Sequence, residues 1–199
     1  MGQEDKFAVD LAGRLRALVP KPYEVETKRS LLYAVSFGDD GKLHLGQNDQ
    51  LEPTRGGGTG FEQDLLVFER VDGGNTSIVP RVSVEIKFGQ MTTHDAIVYS
   101  EKAKLIRTIY PFIRYGLVLG RLPHIPPRTL RLGTEFDFIA AVAAPIEKQD
   151  VTKIAALLMD EVRLSCSMTS ILRGQTKVVF LHRQLSFSEG LPELGDDPR

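Results

Sequence analysis

Apolar residues at Phe7, Leu11, Leu15 and Leu18 recur at spacings of three and four, which predicts an amphipathic helix over residues 5–19, ended by Pro20 and Pro22. Residues 31–37 are apolar and partly β-branched or aromatic. Gly38-Asp39-Asp40-Gly41 then leads into residues 42–45, the pattern of a short hairpin. Residues 61–71 and 78–88 are strand-like and joined by Asp72-Gly73-Gly74-Asn75, which has the residues that a tight turn with positive φ requires. A second helical repeat follows at Ala96, Tyr99, Ala103, Ile106, Tyr110 and Ile113, with Thr93 or Asp95 to cap its start and Pro111 to end it near Tyr110. Residues 115–119 read as a strand buried on both faces, 136–143 as another strand, 150–172 as a helix with Ile154, Leu157, Leu158, Val162 and Leu172 inward, and 177–187 as a last strand. Between them, the proline-rich stretch 123–127 reads as a connection.

This alternation of helices and strands predicts an α/β chain. With 199 residues, 42% of them hydrophobic, it is expected to form a single domain over 1–187, with a core at about 5–120, an elaboration at about 121–187 and a disordered tail at 188–199. No apolar run reaches the roughly 18 to 20 residues that span a bilayer, and the N-terminus lacks a signal-peptide stretch. A cytoplasmic protein with no membrane partner is expected. The single Cys166 has no partner for an internal disulfide and lies on an apolar helix pattern, where a cysteine is core filler. A formal net charge of -1 means that contact with nucleic acid has to come from a local cluster of Lys and Arg.

Candidate chemistry sits in the hairpin. Alternation over residues 81–88 puts Val82, Val84, Ile86 and Phe88 on one face and Arg81, Ser83, Glu85 and Lys87 on the other. Asp64 lies on the partner strand, and hairpin pairing brings its carboxylate toward Glu85. Two carboxylates suit a hard divalent cation such as Mg2+, or Mn2+ in its place, which completes its shell with waters and phosphate oxygens. An adjacent ammonium, Lys87, then serves to orient a water or to stabilise charge on phosphorus. Hydrolysis of a phosphodiester is the expected reaction.

With Asp64 in Gly-Phe-Glu-Gln-Asp-Leu-Leu-Val and Glu85-Ile86-Lys87 in Val-Ser-Val-Glu-Ile-Lys-Phe, the chain resembles the PD-(D/E)xK phosphodiesterase superfamily of restriction and repair nucleases. The resemblance runs from the first helix to Leu119, and the segment Tyr-Pro-Phe-Ile-Arg-Tyr-Gly-Leu-Val-Leu also looks like restriction-type members. It implies a restriction-endonuclease-like fold, a central mixed sheet flanked by helices. It further implies a DNA endonuclease with double-stranded DNA as partner, Asp64, Glu85 and Lys87 as catalytic residues, and Asp64, Glu85 and the Ile86 carbonyl as metal ligands. Cutting both strands of a duplex is most simply done by a homodimer. Gln63 stands where the family name has proline, which many members lack; a first-helix acid that some members use has two candidates here, Glu4 and Asp10, between which the sequence does not choose.

A competing reading keeps the fold without catalysis, as a nucleic-acid-binding or interaction module. Glu-x-Lys alone is a weak signal, since on a strand it usually marks an exposed charged face. The triple glycine Gly56-Gly57-Gly58 lies in a polar stretch, 47–60, that reads as a mobile loop; no Gly-Lys-Ser or Gly-Lys-Thr closes it into a phosphate loop. Lys102, Lys104 and Arg107 could form a DNA-facing stripe, but a charge run on a helix is usually its solvated face; His94, seven positions after Lys87, could contact a phosphate but reads first as a helix-start residue. His44, His124 and His182 show no metal-binding spacing with each other or with Cys166.

Overall fold

The structure, a computed structural model, describes residues 2–32, 36–37, 43–44, 60–70 and 78–179. Its elements are α1 (Gln3–Arg16), β1 (Tyr23–Glu26), β2 (Arg29–Leu32), β3 (Ser36–Phe37), β4 (Leu43–His44), β5 (Gly60–Gln63), β6 (Leu65–Arg70), β7 (Ile78–Phe88), α2 (Thr93–Ile109), β8 (Arg114–Gly120), α3 (Pro127–Leu132), β9 (Phe138–Val142) and α4 (Lys148–Leu172). The turns at 38–41 and 72–75, the glycine-rich stretch 47–59, residues 180–187 of the expected last strand and the tail lie outside the described residues.

A five-stranded mixed sheet in the order β1-β6-β7-β8-β9 carries the fold, antiparallel as far as β7 and parallel from β7 to β9. Helix α2 makes the crossover between the parallel strands β7 and β8. On one face α1 and α4 bury Phe7, Leu11, Leu15, Ile154, Leu158 and Val162 against Val82, Val84 and Ile86. On the other, α2 buries Ala103 and Ile106 against Leu66, Phe68, Ile78 and Tyr115. The result is three layers with β7 in the middle. Strand β8 runs between both cores, and Gly116 is required there: a Cβ would lie 2.0 Å from the Phe138 ring.

Several expectations need correction. Leu18 and Leu172 follow the helical period but are exposed: α1 ends at Arg16, before Leu18, and Leu172 is the last residue of α4. The prolines at 126 and 127 start a short helix, α3, rather than a plain connection, since proline's fixed φ suits the first helical turn. Strand β1, Tyr-Glu-Val-Glu, is half acidic, and its pairing with β6 is what makes it a strand. Residues 177–179 form no strand.

Two irregularities shape the sheet. First, residues 61–71 are not one strand. The ladder between β1 and β6 and that between β2 and β5 keep one register, with Glu26 opposite Leu66 before the break and Arg29 opposite Gln63 after it. The chain bends at Asp64, and beyond the bend Leu31, Leu32 and Phe61 pack with the core around α2. Second, Val67 pairs with Val82 while Phe68 pairs with Pro80, so Arg81 is the extra residue of a bulge. The bulge reverses the strand's parity, letting Ile78 join the α2 core while Val82, Val84 and Ile86 face α1 and α4. Arg81 accordingly leaves the face of Glu85 and Lys87 expected for it and bonds Thr169 of α4 at 2.8 Å, together with Glu69.

Candidate active site

The bend is what presents Asp64. Standing between the last residue of β5 and the first of β6, its carboxylate reaches across to accept a hydrogen bond from the Ile86 backbone N–H at 2.8 Å. Because Leu65 pairs with Val84, Asp64 falls opposite Glu85. In an extended strand the N–H and C=O of one residue point to the same side, so the Ile86 carbonyl faces Asp64 as well. Gln63, fully buried, locks the bend: its amide donates to the Phe61 carbonyl at 2.6 Å and its oxygen accepts from the Ser83 hydroxyl.

Glu85 is 2% exposed. Its Oε1 accepts from the Tyr115 hydroxyl at 2.5 Å and lies 2.6 Å from the Lys102 ammonium. Lys102 also donates to the Glu62 carbonyl at 2.5 Å and sits 5.7 Å from the centre of the Phe61 ring. It is therefore part of the site, not of a solvated helix face. The periodicity of α2 could not reveal this, since the acid it meets is 17 positions earlier and on a strand.

Lys87 stands one alternation further along β7, with its Nζ 3.5 Å from Asp95 and 3.9 Å from Glu4. Asp95 is held by a capping box with Thr92 at the start of α2. Glu4, in the first turn of α1, accepts a hydrogen bond from the Phe88 N–H at 3.1 Å. Of the two first-helix acids, Glu4 is the one at the site. Asp10 is paired with Arg14 on the helix surface.

The electrostatics are uneven. Burial pushes the Asp64 carboxyl up to about 6, the charge of Glu85 adds to this and Glu4 contributes, while the Ile86 N–H and the charge of Lys102 oppose it. Among the described residues Asp64 has no ion-pair partner. Tyr99 of α2 is raised above its usual value by burial and by the charges of Glu4, Glu85, Asp95 and Asp64, so its hydroxyl stays protonated among four carboxylates. Tyr115 is also raised, by burial and by Glu85, and remains a donor.

Two carboxylates with a backbone carbonyl are a sufficient donor set for magnesium, which takes one or two carboxylates and keeps several waters. Among the described residues no three His, Cys, Asp or Glu side chains are grouped to hold a metal ion. The donor set is thus the open, two-carboxylate kind, and the unmatched negative charge at Asp64 is what a cation would relieve. Asp64 and Glu85 are brought side by side; Lys87 is brought near them on the same face, but its ammonium is engaged by Asp95 and Glu4. The chain matches no protein-family model and no curated protein. No helix among the described residues is long and apolar enough to cross a membrane.

Proposed function

We propose that the protein is a magnesium-dependent nuclease of restriction-endonuclease-like fold that hydrolyses phosphodiester bonds in DNA. The observation that carries this reading is the apposition of Asp64, bound to the Ile86 N–H, with buried Glu85: burial first, and then the charge of Glu85, lift the Asp64 carboxyl to about 6 against the pull of that N–H. Such a pair is unfavourable for folding and has a chemical use once a cation enters. Asp64, Glu85 and the Ile86 carbonyl would hold the metal. When bound, it supplies a water of lowered pKa and neutralises charge on the phosphate. Lys102 and Tyr115 orient the Glu85 carboxylate. Lys87, kept in position by Asp95 and Glu4, directs its ammonium at charge that builds on the phosphate oxygens.

One observation favours the second reading, an inactive module of the same fold: Glu85 already carries a cation, Lys102. Two experiments separate them. Incubation with plasmid and with oligonucleotides should give cleavage products with magnesium and none in chelator, and Asp64→Asn should abolish them. Calorimetry should show magnesium or manganese binding that Asp64→Ala removes; a protein that binds neither metal and cuts nothing is the inactive module. We further propose a homodimer, with a cytoplasmic location as the setting for a chain whose only cysteine is unpaired. A monomeric mass in light scattering, at concentrations where cleavage is seen, would refute the dimer.

A further inference from the structure

From Lys102 to Thr134 the chain has no acidic residue and seven basic ones: Lys102, Lys104, Arg107, Arg114, Arg121, Arg128 and Arg131. Since the whole chain has a net charge of -1, this segment is a local reversal of sign. Acids from elsewhere neutralise the first four. Lys102 meets Glu85, Lys104 meets Glu101, Arg107 meets Glu135 and Asp137, and Arg114 meets Asp137 and Glu161. The other three, Arg121, Arg128 and Arg131, are exposed and have no ion-pair partner among the described residues, and exposed His124 lies between them.

The fold sets these arginines beside the candidate site. Strands β7 and β8 are parallel, with Lys87 opposite Leu119 and Phe88 opposite Gly120, and the Gly89 N–H donates to the Gly120 carbonyl at 2.8 Å. Arg121 is the next residue, so it leaves the sheet at the end where Lys87 stands. Leu122, Ile125 and Leu132 pack with Met91 and Ala96, and buried Thr129 bonds Met91 at 3.8 Å, which fixes α3 against the first turn of α2. Arg128 and Arg131, three positions apart on α3, share one face. Arg121 also adopts φ 66°, a left-handed conformation in which glycine carries no strain and arginine does.

We infer that Arg121, Arg128 and Arg131 form a ridge that binds the phosphate backbone of nucleic acid and holds the strand across the Asp64–Glu85 site. This rests on the nuclease reading for its purpose, and its ligand chemistry is the phosphodiester that the arginine fork matches. The ridge positions the backbone and reads no sequence. It supplies the local basic cluster that the chain's overall charge lacks.

The test uses fluorescence anisotropy of a labelled DNA duplex in chelator, so that no cleavage occurs, with the full chain and an Arg121→Gly, Arg128→Gln, Arg131→Gln triple variant. Arg121→Gly relaxes a strained position, and a thermal melt checks that the variant folds. The triple variant should bind about 10- to 100-fold more weakly, with the slope of log affinity against log salt reduced by about 3, roughly 0.9 for each phosphate that an arginine no longer neutralises. Arg173→Gln, at the far end of α4, should bind as the parent does. Equal binding by the triple variant and the parent overturns the ridge, as does a parent that binds no duplex. Equal capture of the parent by phosphatidylcholine vesicles containing phosphatidylserine, abolished in the same variant, also overturns it, because the ridge is then a membrane-binding surface. Duplex binding through these arginines without magnesium-dependent cleavage leaves the ridge standing and ends the nuclease reading. Cleavage by both parent and triple variant with equal affinity does the reverse.

Discussion

The two ends of β7 and β8 carry two charged clusters built on different terms. At the N-terminal end, Arg81 joins Glu69 and Thr169, Arg114 spans Asp137 at 2.9 Å and Glu161 at 2.5 Å, and Arg107 spans Asp137 at 2.6 Å and Glu135 at 3.4 Å. Asp137 also accepts from the Tyr115 N–H at 2.7 Å, which ties the loop before β9 to the start of β8. Every acid there has an arginine, and the planar forks bridge two partners at once. At the C-terminal end, Glu4, Asp64, Glu85 and Asp95 gather around two lysines, and Asp64 has only a backbone N–H. The first cluster is a closed network that fastens α4, β8 and the loop before β9. The second leaves charge unmatched next to a cradle of carboxylates, a cost that folding alone gives no reason to bear.

Substitutions at the two ends should therefore fail in different ways. Among substitutions that leave the proposed metal ligands in place, Lys87→Ala is expected to have the largest effect, a drop of about 100- to 1000-fold in turnover or about 3 to 4 kcal/mol in the barrier, with the melting temperature and metal affinity nearly unchanged. Steady-state cleavage rates beside a thermal melt check this; wild-type turnover, or an unfolded variant, would make Lys87 a structural residue. Arg114→Ala should behave in the opposite sense. Removing one arginine that serves two partly buried acids is expected to cost about 2 to 4 kcal/mol of stability, read from the denaturant midpoint. If it leaves stability unchanged, the N-terminal cluster is not the fastening described.

Asp64→Asn sharpens the contrast through pH. The carboxyl stands at about 6 in the folded chain against its ordinary 3.8, so its contribution to stability is full below about pH 4 and is lost as pH rises through 6. The difference corresponds to at most about 3 kcal/mol, less what solvent screens. In chelator at pH 8 Asp64→Asn should be more stable than the parent by about 2 kcal/mol, and the gap should close near pH 4. A variant no more stable than the parent at pH 8 would mean that the site holds no unmatched charge. Lys104→Ala is the smallest change: its pair with Glu101, three positions away on an exposed helix face, is worth about 0.2 to 0.5 kcal/mol, and neither cleavage nor stability should move further than that.

Local periodicity was enough to find α1, α2, β7, β8 and α4, because each buries a face whose spacing in sequence is the period of its own backbone. The alternation that sets Glu85 and Lys87 apart from Val84 and Ile86 was likewise legible. So was the nearness of Asp64 to the strand of Glu85, although not the bend that takes Asp64 out of the ladder. Of the seven basic residues in the acid-free stretch from Lys102 to Thr134, helical spacing drew attention only to Lys102, Lys104 and Arg107, and only the structure separates the four that are neutralised from the three that are not.

What the sequence determined by itself, then, was the order and type of the long elements, the α/β class and the strand face on which Glu85 and Lys87 lie, since these follow from interactions within one turn or one ladder step. Tertiary structure decided the rest. The bend that frees Asp64, the bulge that removes Arg81, the choice of Glu4 over Asp10 and the claim of Lys102 on Glu85 each depend on residues far apart in the chain. Such pairings form only when α1 and α2 are packed against opposite faces of one sheet, and no residue's own neighbours record which distant side chain that packing will bring to it.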